Sequence, residues 1–132
     1  MTALDPSVLD ALTRARYVSL TTYRKNGTSV ATPVWHVVDD GRLYVWTEAD
    51  SWKVKRLRRD DRVKVVVCDV RGRIAPGAAE AEGAGRLLDA EGIQKVRRLM
   101  GRKYLLFRVG DWYANLTGRR RRVPIAALEI SF

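Results

Sequence analysis

The sequence predicts a small, mainly β protein, a six-stranded antiparallel barrel with three or so helices as cover. Three observations lead there. Short segments of period-two hydrophobicity recur along the chain. Tight-turn signals, Asn26-Gly27 and then "DDGR" at 39–42, join the first of them as hairpins. Three stretches of helical spacing interleave with the strands.

The elements follow in order. Asp5-Pro6-Ser7, ahead of Val8, Leu9, Leu12 and Ala15, predicts a short helix with proline in its first turn. "YVSLTTY" (17–23) alternates as a strand, and Asn26-Gly27 turns it into "SVATPVWHVVDD". A third strand, "RLYVWT", completes an antiparallel meander. Ser51 caps the next helix, with Val54 and Leu57 as its buried stripe. "RVKVVVCDV" (62–70) is a strand apolar on both faces around Val65, Val66 and Val67, so it needs cover on both sides. After the loop "RGRIAPG", residues 79–88 form a fifth strand weakened by glycine. Ile93, Val96, Leu99 and Met100 repeat at helical spacing from Ala90, and the helix is expected to continue through "KYLLF" until Gly110 and Gly118 interrupt. "RVPIAALEISF" (122–132) is the last strand.

Length and composition bound the function. A chain of 132 residues makes one domain with one core. The sequence has no signal-peptide pattern and no apolar run of membrane-spanning length, and Cys68 is its only cysteine. A cytoplasmic protein without a disulfide is the plain expectation. His36 is the only histidine, so a metal site or a serine–histidine–acid triad is improbable. No GxGxxG or GxxxxGKS motif occurs. An enzyme built from these residues would need a bound organic cofactor. The net charge of +10 predicts attraction to anions. No nucleic-acid module is spelled out, so nucleic acid is not the expected partner despite "GRRRR" at 118–122, which reads as a solvated turn.

The densest charge lies in "SWKVKRLRRD", residues 51–60, with five cations in ten residues. It begins at a strand end, where Ser51 and the first free N–H groups of a helix make a ready anion site. Lys53 lies in that first turn and Arg56 shares its face, whereas Lys55 and Arg59 point elsewhere. One phosphate at Ser51 and Lys53 is a natural use of the segment, with the remaining cations as wet surface.

The run from Tyr17 to Arg73, with its "TPVW", "GRLYVWT" and "SWKVKRLRR" segments, together with "AEGAGRLL" and the final "ALEI", resembles the pyridoxamine 5'-phosphate oxidase-like split β-barrel superfamily of flavoproteins. More narrowly it is similar to the actinobacterial branch that uses the deazaflavin coenzyme F420. The resemblance implies a cytoplasmic homodimer with each cofactor in a groove at the interface. Carried over by position, Ser51 and Lys53 hold the cofactor phosphate, with Arg56 and Thr47 nearby. Thr32, Pro33, Trp35 and Trp46 border the ring system. The implied function is an oxidoreductase that transfers hydride from reduced F420 to an electron-poor small molecule. An FMN enzyme of the same fold and a non-catalytic F420 carrier are the alternatives.

Departures from the family pattern are Trp52, where relatives carry a small residue, and His36, where an apolar aromatic is common. His36 is expected to be a hydrogen-bonded structural residue, with proton donation as its alternative role. Trp35 and Trp46 suit dimer packing or cofactor contact equally, through the same flat apolar surface. Cys68 reads as an inert thiol, and Tyr104 and Tyr113 as packing residues.

Overall fold

The computed structural model describes residues 4–104, 116 and 124–132. Six antiparallel strands close a barrel in the order β1-β2-β3-β6-β5-β4. They are β1 (Tyr17–Tyr23), β2 (Ser29–Asp39), β3 (Arg42–Glu48), β4 (Arg62–Cys68), β5 (Glu80–Leu87) and β6 (Ile125–Ser131). Helices α1 (Pro6–Arg14), α2 (Trp52–Arg59) and α3 (Ala90–Lys103) are set around it. Asn26-Gly27 and Asp40-Gly41 turn the first two hairpins, with Gly27, Asp40 and Gly41 all at positive φ. Tyr113 and the arginines of 118–122 lie outside the described residues.

Strand alternation divides the apolar side chains into two layers. Val18, Leu20, Val34, Leu43, Val45, Val63, Val65, Leu128 and Ile130 fill the barrel, joined by Leu12 of α1 and Leu57 of α2. On the outside, Val37, Tyr44 and Ala127 pack beneath Val96 and Met100 of α3. The two-sided strand has the cover its pattern demands, since Val65 and Val66 are both buried.

The helix expected through "KYLLF" ends at Lys103. Tyr104 takes extended φ and ψ of −123° and 114° and closes α3 with an N–H bond to the Met100 carbonyl. Local apolar spacing would have continued the helix, but tertiary contacts hold Tyr104. Its ring stacks on Trp35 at 5.0 Å, and its hydroxyl lies 2.6 Å from the His36 carbonyl oxygen and 2.8 Å from that of Arg16.

The glycines that weaken β5 have a steric reason. A Cβ on Gly83 would stand 2.3 Å from the Ser131 carbonyl oxygen, a backbone atom with nowhere to go. Gly83→Ala is expected to destabilise the barrel by about 2 kcal/mol or more, read as a lowered urea midpoint. An unchanged midpoint would mean that the β5–β6 approach is looser than described.

Candidate functional site

The β3–α2 junction is fixed by backbone bonds before any side chain acts. Ala49 N–H donates to the Pro124 carbonyl at 2.9 Å, and Ser51 N–H to the Glu48 carbonyl at 3.1 Å. Ser51 is extended at φ −67° and its Oγ accepts from Val54 N–H at 3.4 Å. That leaves the Trp52 and Lys53 amides without an intrahelical acceptor, the usual state of a helix start. Val54 and Leu57 are buried against the barrel, as their spacing requires.

Lys53 is half-buried on the flank of this first turn. Burial, then the Arg56 guanidinium, lowers its pKa, with Glu48 opposing. An ammonium so placed favours an anion as neighbour. Arg56 reaches over the barrel end and donates from Nη1 to Thr22 Oγ1 at 3.5 Å. Thr22 is fully buried on the inner face, where the β1–β2 register sets Thr22 opposite Val30 and Leu20 opposite Thr32. Thr32 Oγ1 is buried and finds no hydrogen-bond partner among the described residues. The start of α2 thus brings together unpaired helix-start amides, a half-buried ammonium and a tethered guanidinium, a combination that suits an anion.

The pleat separates the expected ring-bordering residues. Thr32 and Thr47 alternate with the barrel-lining Val34 and Val45 and so face inward. Pro33, Trp35 and Trp46 lie on the outer face, Trp35 and Trp46 flanking the His36–Val45 pair on neighbouring strands. Thr32 thus does not share a surface with the indoles, because successive strand residues point to opposite sides. Both indoles are already engaged. Trp35 stacks on Tyr104, and the Arg97 guanidinium stands 5.7 Å above the Trp46 ring. Pro33 is exposed, beside the β4–β5 loop that brings Gly72 against its ring.

His36 is fully buried. Its Nε2 lies 2.6 Å from the Leu12 carbonyl, which only accepts, so Nε2 carries the proton. Lys103 Nζ, 3.4 Å from the same nitrogen, therefore cannot also donate to it. Burial first, and Lys103 second, push the imidazole pKa down to about 4. Burial likewise lowers the Lys103 amine to about 8. Buried beneath α1 with Nε2 bonded to the Leu12 carbonyl, the imidazole suits the structural role better than the alternative one of proton donor. Tyr104 packs, as expected.

Sequence reasoning missed an outer polar network. Arg86 and Glu129 face each other across β5 and β6 and join at 2.9 Å. Tyr44 hydrogen-bonds Glu129 and accepts from Lys95 Nζ at 3.1 Å, while Lys95 pairs with Asp39. The one signal was a glutamate inside the apolar "ALEI". Cys68 is partly buried, and burial raises its thiol pKa, consistent with an inert side chain. Among the described residues no group of acids, histidine and cysteine could hold a metal ion. No described helix is long and apolar enough to cross a membrane.

The family profile of pyridoxamine 5'-phosphate oxidase matches residues 4–128. The chain belongs to that family. Solved structures agree on the fold. A conserved hypothetical protein of Mycobacterium tuberculosis superimposes with a TM-score of 0.71 at 21% identity, covering 98% of this chain and 81% of the other. The haem storage protein HutZ of Vibrio cholerae gives 0.68 at 13% identity, over 98% and 90% of the two chains. An FAD-binding protein of Mesorhizobium loti gives 0.67 at 17% identity, over 100% and 88%. No curated protein matches the chain. The split barrel is the architecture that the sequence predicted, and these solved structures share it.

Proposed function

We propose that this member of the pyridoxamine 5'-phosphate oxidase family is an F420H2-dependent oxidoreductase of the actinobacterial branch, working as a cytoplasmic homodimer with the cofactor at the interface. The observation that carries the reading is the crowded Lys53 ammonium beside Arg56 at the capped start of α2. Ser51, Lys53 and Arg56 would hold the phosphate. Pro33, Trp35 and Trp46 would border the ring on the outer face, and Thr47 would line the inner end of β3. The net charge of +10 suits the acidic tail of F420 better than the short FMN phosphate.

When bound, reduced F420 supplies a hydride to an electron-poor acceptor such as a conjugated carbonyl. The chain's own share is to bind and orient the reactants, and the proton that completes the reduction after hydride transfer would come from solvent. The similarity to the Mesorhizobium FAD-binding protein favours FMN or another flavin as the second reading. Haem storage draws no support, because the sole histidine is buried with its Nε2 committed. Oxidation of F420H2, followed by its absorbance against a panel of conjugated carbonyls, tests the activity. Acceptor-dependent turnover is expected, while tight binding without turnover by any acceptor would make the protein a carrier.

A further inference from the structure

A second face of α2 looks across to the β1–β2 hairpin. Between them lies a cleft of about 520 Å³ lined by Arg24, Lys25, Trp52, Lys55, Arg56 and Arg59. Five of these six residues are cations and none is acidic. Elsewhere Arg14, Arg62, Lys64, Arg86 and Lys95 each pair with a carboxylate, but none of the cleft's five cations does so among the described residues. Two are tethered rather than loose. Arg59 donates to the Tyr23 carbonyl at 2.6 Å and Arg56 to Thr22 Oγ1 at 3.5 Å, each spending a fraction of its five donors. Lys55 Nζ lies 4.5 Å over the Trp52 ring, yet that indole is 69% exposed.

Cations without a paired carboxylate attract an anion, and an exposed indole offers a flat face for stacking. One kind of occupant uses both at once, a flat ring that carries several negative charges. We propose that this cleft binds a nucleotide phosphate, with its base stacked on Trp52 and two or more phosphates among Arg24, Lys25, Lys55 and Arg59. The volume lies within the ordinary range for a small-molecule site, roughly 300–1,000 Å³. The inference goes beyond the cofactor reading and does not depend on it. Arg56 and the Trp52 amide also border the cofactor site, the other lining residues do not, and Lys53 does not line the cleft.

A free nucleoside diphosphate and single-stranded nucleic acid share this chemistry, so both are tested. Native protein, Trp52→Ala and the double variant Lys55→Ala/Arg59→Ala are titrated with ADP, with inorganic triphosphate and with short and long oligothymidine. Circular dichroism checks that each variant folds. Saturable binding that falls at least about tenfold in both variants, and weakens as salt rises, is expected. Lys64→Ala, on β4 and paired with Glu80 rather than lining the cleft, is expected to leave it unchanged. Affinity that grows with oligomer length identifies nucleic acid as the source, whereas ADP binding as tightly as the long oligomer identifies a free nucleotide. Three results overturn the proposal: no saturable binding of either probe, equal binding by folded variants, or inorganic triphosphate matching ADP. None of these bears on F420 or FMN binding, which Lys53→Ala reports.

Discussion

Replacing Lys53 with alanine is expected to weaken binding of the phosphate-bearing cofactor by about 10- to 100-fold, the equivalent of one charge-assisted hydrogen bond. The fold should survive, because Val54 and Leu57, not Lys53, carry the packing of α2. The sign of the effect follows from the free protein. Burial and the neighbouring Arg56 already make the charged ammonium unfavourable, so an incoming phosphate anion offsets a cost that alanine does not carry. Binding should also take up a proton at alkaline pH and weaken as pH rises through the lowered Lys53 pKa. Calorimetric titration of native and variant protein with the same cofactor checks both statements. Equal affinities would remove Lys53 from the site.

The second large effect is acid destabilisation through His36. The folded chain holds the imidazole neutral down to about pH 4, against an ordinary value of 6.5. Between those limits the unfolded chain binds a proton that the folded chain refuses, so stability falls as pH falls from 6.5 toward 4. The full loss is roughly 3 kcal/mol, at up to about 1.4 kcal/mol per pH unit. Above pH 6.5 this group makes no difference. The lowered carboxylates titrate elsewhere, since Asp60 is held down to about 2 and Arg86 keeps Glu129 below its ordinary 4.5. His36→Gln keeps a donor near the Leu12 carbonyl and removes the titration. Urea midpoints of the native chain should drop between pH 6.5 and 4.5 while those of His36→Gln stay nearly flat. Parallel losses would mean that His36 is not the group responsible.

The strands, the helix starts and the barrel were legible because local and tertiary preferences agree there. Ser51 caps, Val54 and Leu57 turn inward, and both glycine turns lie at the expected hairpins. The end of α3 was not legible, because what stops it is Tyr104 reaching His36 and Arg16, contacts 68 and 88 residues away in sequence. The site was legible as a basic helix start but not as a surface. Alternation along β2 separates Thr32 from Pro33 and Trp35, yet periodicity alone does not say which face lines the barrel. That is decided by which side Leu12 and Leu57 close. The cations of α2 were also sorted too simply. Arg56 interacts with Lys53 and also lines the cleft of Trp52, Lys55 and Arg59.

The central claim is that the start of α2 grips the phosphate of F420. Titration of the native chain with F420 beside FMN, followed by tryptophan fluorescence, tests it most directly. Saturable quenching by F420, tighter than by FMN and weakened in Lys53→Ala, is the predicted result. Tighter binding of FMN, or no saturable response to either cofactor, would contradict it.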